Sequence, residues 1–276
     1  MIAADFEYHR PETVLEATAA HRRLRAEGKE PLYYGGGTEI ISRARLGQLH
    51  TRAVVDIKAI AECNTLDCSG DRIVVGAGLT LAQICAADPW PLLSAAARRV
   101  ADHTSRCKIT LGGNIAGSIQ YREAVLPLLL VDSEAVIGSG PGLRRAPFKD
   151  VFDGTLHLEP GEFLAQISVA KADAAVPAVS VKRTRLDFID YPLLTISALR
   201  TGTRIRAAFA GLCDHPFRCQ GMDDALSETR TPAEARAERA VLAVPAPIVS
   251  DLHGSADYRR FVLRNTLVDV LRTLEG

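Results

Sequence analysis

Apolar positions recur along this chain with two different spacings. In PETVLEATAAHRRLRAEG, Val14, Ala17, His21 and Leu24 fall on one stripe, with Pro11 near the start and Gly28 at the end, which predicts a helix. An apolar run then leads into LYYGGGTEII as a strand, breaks at Gly35, Gly36 and Gly37, and resumes after Thr38. AVVDI (53–57) and RIVVGAG (72–78) are short β-branched runs, TLAQICAA opens a helix with Thr80 as N-cap, and a longer helical segment runs from Pro91 to Ala101. EAVIGSGPGLRRAPF has the pattern of a hairpin turning between Gly138 and Gly142.

From Ala178 the spacing changes. AVSVKRTR, LLTISALR and RIRAAFAGL alternate as strands of a small antiparallel sheet with one face covered. TPAEARAERAVLA then predicts a helix with Thr231 as cap and Pro232 at its first position. A final helix begins near Gly254 and Ser255, with Leu263, Leu267, Val270 and Leu274 on its buried stripe.

The glycine clusters carry the first chemical signal. The second one, CKITLGGNIAGS (107–118), sets Gly112 and Gly113 between Thr110 and Asn114, so both clusters read as strand-exit loops. An isolated Gly-Gly pair is more often an ordinary turn than a phosphate cradle. Glycine also permits left-handed backbone and close approach of a ligand, and two such clusters strengthen that reading. The dinucleotide fingerprint GxGxxG fails at the 138–143 hairpin, where Leu143 takes the sixth position, so no Rossmann site is visible.

Composition narrows the partners. The 276 residues are 24% charged and 47% hydrophobic with formal net charge +0, which argues against nucleic acid or an anionic membrane as the main partner. No apolar run is long enough to span a bilayer, and Asp5 and Glu7 stand where a signal peptide needs a basic start, so a cytoplasmic location is expected. Six scattered cysteines show no paired metal spacing and read as buried thiols in a reducing compartment. The seven histidines add no metal motif, and no metal is assigned.

YYGGGTEI, TLGGNIAGSIQYREAVLPLLLVDSEAVI, SVKRTRLDFIDYPLLTISA and DLHGSADYRR occur in this order over nearly the whole chain. Together they resemble the FAD-binding, or medium, subunit of molybdenum hydroxylases of the xanthine dehydrogenase and aerobic carbon monoxide dehydrogenase type. The resemblance implies an α+β fold: a two-lobed FAD-binding fold of the vanillyl-alcohol oxidase-like (PCMH-type) class, with lobes at 1–57 and 58–175. A C-terminal domain of antiparallel sheet and helices at 176–276 would follow.

FAD brings a diphosphate, and backbone N–H groups in Gly-rich loops can form anion-binding nests. The resemblance implies FAD contacts for Gly35, Gly36, Gly37, Thr38, Glu39 and Ile40, with Tyr33 and Tyr34 flanking, although alternation along a strand keeps both tyrosines from facing it. It implies further contacts for Thr110, Gly112, Gly113 and Asn114. Glu123 stands where the family usually has aspartate and would bind a cofactor hydroxyl, and Leu164 would line the cofactor. Lys182 either donates to a flavin carbonyl or is a solvated strand lysine. Tyr191 either packs on the isoalloxazine or is a core tyrosine. In GSADYRR, Ser255 reads as a cap, Asp257 as a first-turn acid, and Arg259 and Arg260 as ion-pair or subunit contacts.

No catalytic acid–base residue is required, because the flavin carries the chemistry and the protein positions it. The resemblance implies a heterotrimer, possibly doubled. A large subunit would hold the molybdenum cofactor, a small subunit would carry 2Fe–2S clusters, and electrons would pass through FAD here to NAD⁺ or another acceptor, in a xanthine dehydrogenase-like enzyme. Two alternatives stay open: a stand-alone flavin reductase of the same fold, like the enolpyruvyl-glucosamine reductases, and a non-enzymatic scaffold without FAD.

Overall fold

The computed structural model describes residues 5–186 and 189–276, so Asp187 and Phe188 of the DFIDYPLL motif lie outside the described residues. The chain forms two compact units that interleave in sequence. One comprises 1–89, 103–117 and 133–170, and the other 90–102, 118–132 and 171–276.

The first unit holds two sheets. In the smaller one Ala53–Asp56 lies between Glu7–His9 and Leu32–Tyr34 and runs parallel to both. The helix Val14–Ala26 covers it, because Val14, Ala17 and Leu24 bury into one cluster with Ala53, Val55 and Ile57. A capping box at Thr13 and Glu16 fixes its start at Val14, three residues after Pro11. The larger sheet is antiparallel, in the order Leu66–Asp67, Arg72–Gly76, Phe163–Ala170, Glu134–Ser139 and Gly142–Pro147. Its last two strands are the expected hairpin.

The second unit is built on an antiparallel sheet in which Pro192–Thr201 sits between Ala178–Thr184 and Arg204–Ala210. Every residue from Pro192 to Leu199 is buried, so the sheet is covered on both faces rather than one. Leu194, Ile196 and Ala198 pack with Leu263, Leu267 and Leu271 of the C-terminal helix Ala256–Glu275. The opposite face meets segments that return from earlier in the chain: Arg206 donates to the Leu130 carbonyl and Lys182 to the Arg99 carbonyl, each at 2.9 Å. That second cover comes from remote sequence, which local alternation does not report.

Ser255 caps the C-terminal helix as expected, accepting from the Tyr258 N–H at 3.2 Å. Thr231 does not cap Ala233–Leu242: Pro232 occupies that position and the Thr231 hydroxyl accepts from Arg239 instead. The helix beginning at Pro91 ends at Ala97, four residues short of Ala101. Cys63 and Cys213 are buried, whereas Cys68 and Cys107 are exposed, so the thiols are not uniformly sequestered. No helix among the described residues is long and apolar enough to cross a membrane.

Candidate FAD site

The site begins where Leu32–Tyr34 leaves the parallel sheet. The chain does not resume as a strand after Thr38. It turns through Gly35–Gly37 into the helix Thr38–Arg45, and Gly37 occupies its N-cap at φ +70°, a left-handed conformation that favours glycine. A Cβ on Gly37 would also overlap the Tyr34 ring. Glycine supplies no capping side chain, and the helix start carries no side-chain cap hydrogen bond.

The second cluster is a helix start as well, not a strand-exit loop. Leu111–Ala116 is helical, with the Thr110 hydroxyl accepting from Gly113 N–H at 3.1 Å. Its first-turn donors are already used: Leu111 N–H donates to Leu79, Gly112 to Ala77 and Asn114 to Thr110, at 2.8–2.9 Å. These amides hold the turn in place and do not form an anion nest.

The two clusters lie directly against each other. A Cβ on Gly36 would overlap the Lys108 carbonyl, and one on Gly35 would lie 2.7 Å from the Thr110 hydroxyl oxygen. The glycines at 35 and 36 are therefore required by contact between two backbones rather than by ligand approach. Gly112 is pressed against Ala77 in the same way, whereas a Cβ on Gly113 would meet only the Thr110 oxygen. At the far end of Leu111–Ala116, a Cβ on Gly117 would lie 2.6 Å from a Glu39 carboxylate oxygen.

Electrostatics support the first loop. Lys58 Nζ donates to the Gly35 carbonyl at 2.9 Å and to Asp56 at 2.7 Å, and lies 4.6 Å from the centre of the Tyr34 ring. Burial alone would raise the Asp56 carboxyl, but hydrogen bonds from Lys58 and Tyr8 hold it below the usual range. Burial pushes the Tyr34 phenol up.

The remaining predicted residues fall in several settings. The Tyr33 side chain is committed to the core of the first unit: it stacks on His21 at 4.6 Å, touches Phe163, and donates to the Gly161 carbonyl at 2.6 Å. Ile40 is half-buried in its helix, Asn114 is buried, and Leu164 is buried in a strand opposite Ile137.

In the second unit Glu123 is buried, and its carboxyl is pushed up to about 7 by desolvation against the opposing pull of the Lys182 ammonium. Lys182 is half-buried on the sheet face opposite Val179 and Val181, so it is not a fully solvated strand lysine. Tyr191 is 52% exposed, which excludes the core reading, and its ring lies 5.1 Å from Tyr121 and 5.7 Å from His253. Lys58 went unnoticed in the sequence, where it stands 23 residues after Gly35 with no motif around it.

A dinucleotide diphosphate needs fixed N–H donors, a positive environment and no competing carboxylate cap. The uncapped start of Thr38–Arg45, with the Lys58 ammonium bonded to the preceding loop, meets this requirement.

Comparison with known proteins gives the family of the chain. The family described as "FAD binding domain in molybdopterin dehydrogenase" matches residues 4–171. The carbon monoxide dehydrogenase medium chain of Hydrogenophaga pseudoflava is 28% identical over 273 residues, covering 94% of this chain and 93% of that one. The nicotinate dehydrogenase FAD-subunit of Eubacterium barkeri is 25% identical over 221 residues, 76% of this chain and 71% of its own. Among solved structures, carbon monoxide dehydrogenase from Hydrogenophaga pseudoflava superposes with a TM-score of 0.87 at 25% identity, covering 100% of this chain and 99% of that one. Quinoline 2-oxidoreductase from Pseudomonas putida 86 shares the fold, with a TM-score of 0.85 at 22% identity, 99% of this chain and 98% of that one. The chain thus has the expected PCMH-type α+β fold, its cofactor is FAD, and it belongs to the family of FAD-binding subunits of molybdenum hydroxylases.

Proposed function

We propose that this chain works beside two partner subunits, one holding a molybdenum cofactor and one carrying 2Fe–2S clusters, and passes electrons from the clusters to NAD⁺ or another soluble acceptor. The medium-chain and FAD-subunit relatives support this reading, since their names describe components of larger enzymes. None of the relatives named above is a xanthine dehydrogenase. The substrate oxidised at the molybdenum site is a property of the partner, and the xanthine-type placement has no support from them.

The uncapped helix start behind Gly35–Gly37 carries the proposal. First-turn N–H groups of Thr38, Glu39 and Ile40 would take the diphosphate, and the helix dipole would favour its charge. The Thr110 hydroxyl accepts from Gly113 and keeps its own proton to donate outward. The roles implied for Tyr34, Asn114, Leu164, Glu123, Lys182 and Tyr191 belong to the same proposal. When bound, FAD supplies a redox centre able to exchange one or two electrons. The protein holds and orients it and needs no proton-transferring side chain.

An anaerobic titration of the FAD-loaded protein with NADH, followed by the flavin absorption bands, tests the reading. Bleaching places nicotinamide at this subunit. Bound flavin that stays oxidised until partner subunits are added assigns the acceptor site to the complex, and a chain that takes up no FAD overturns the proposal.

A further inference from the structure

We infer that Lys58 is a positioning residue for FAD, which sets the direction of the loop amide at Gly36. The inference rests on the proposed placement of the diphosphate at the start of Thr38–Arg45. Lys58 Nζ donates to the Gly35 carbonyl. That carbonyl and the Gly36 N–H belong to one planar trans peptide, whose C=O and N–H point in opposite directions. Anchoring the oxygen on Lys58 therefore turns the Gly36 N–H away from Lys58. The same peptide cannot rotate freely, because Gly36 is pressed against the Lys108 carbonyl.

Lys58 is itself held from three sides. Its ammonium bonds Asp56, a buried carboxylate that also accepts from the Tyr8 hydroxyl and from the Lys58 backbone N–H at 2.9 Å. Its charge lies over the Tyr34 ring, whose far edge packs on Gly37. One ammonium thus ties together the strand end at Asp56, the tyrosine that leads into the loop, and the first glycine of the loop. A surface lysine that merely neutralised Asp56 would not need the bond to Gly35.

The test uses the full-length chain, stripped of flavin and titrated with FAD by flavin fluorescence, with phosphorus NMR of the bound diphosphate as second readout. Lys58→Met keeps an unbranched side chain of similar length and removes the donor. A hydrogen bond from a charged group corresponds to a loss of about tenfold to hundredfold in FAD affinity, with shifted diphosphate resonances. Lys58→Arg, which retains a charged donor, should recover most of the affinity. Tyr8→Phe perturbs Asp56 without touching the loop, and should lower the thermal midpoint while leaving FAD affinity and the phosphorus spectrum unchanged.

Wild-type affinity and spectrum in Lys58→Met would overturn the inference, as would parallel losses in Lys58→Met and Tyr8→Phe, which would make the role purely structural. If the wild-type complex shows the diphosphate resonances of free FAD, the placement at the helix start fails, and the inference with it.

Discussion

Glu123 gives a stability prediction whose sign and size both follow from burial. Its carboxyl is pushed from the ordinary 4.5 up to about 7, chiefly by desolvation, with the Lys182 ammonium pulling the other way. The folded state therefore holds the proton more tightly than the unfolded chain. The stability this provides is fully present below pH 4.5 and is lost as pH rises through about 7. At about 1.4 kcal/mol per pH unit the total is roughly 3 kcal/mol. Glu123→Gln keeps the shape and cannot ionise, so its stability relative to wild type should improve by roughly 3 kcal/mol between pH 4.5 and pH 8. The assay is urea unfolding of the flavin-free chain followed by Trp90 fluorescence. Trp90 is the single tryptophan, buried at the start of the helix Pro91–Ala97 that packs on the turn Glu123–Val125. His21 titrates in the opposite sense, since burial lowers its pKa and stability falls as pH drops below 6.5, but it is common to both proteins and cancels. A difference between variant and wild type that does not change with pH would refute the reasoning.

Three further perturbations separate packing from binding. Gly36→Ala puts a Cβ into a backbone carbonyl that no rotamer change can relieve, so we expect a loss of about 1–3 kcal/mol in unfolding free energy together with loss of bound flavin, read by the absorbance ratio of flavin to protein. Thr110→Val removes the cap of Leu111–Ala116 and should cost about 1 kcal/mol in urea unfolding, with weaker FAD binding in fluorescence titration. Arg259→Met removes a fully buried guanidinium that donates to the Leu193 and Gly211 carbonyls and pairs with Asp251, and should cost about 3–5 kcal/mol by Trp90-detected unfolding.

The sequence reveals what local periodicity and capping decide. The stripe Val14, Ala17, Leu24, the cap at Thr80 and the start of the last helix at Ser255 all follow from spacings within one or two turns. Arg259 shows where that reading stops. Its place in DYRR suggested an ion pair or a subunit contact, and the ion pair with Asp251 exists, but the guanidinium is buried among carbonyls 48 to 67 residues away. The doubly covered sheet is another instance: Lys182 and Arg206 meet carbonyls 83 and 76 residues earlier, and no pattern local to either strand records that.

The glycine clusters show a subtler limit. Their presence pointed to the loops where the site is proposed, yet the reason differs for each residue. Gly37 answers to a left-handed turn, Gly35 and Gly36 to the second loop pressed against them, and Gly112 to Ala77. Amides of the second cluster are spent on the neighbouring strand exits and on Thr110. On the proposed placement, anion-binding capacity resides in the start of Thr38–Arg45, where the donors are backbone N–H groups that side-chain substitution cannot remove. Mutations at the glycines consequently report on whether the two loops still fit together. Substitutions that keep the fold but turn the donors, above all at Lys58, report on the ligand itself.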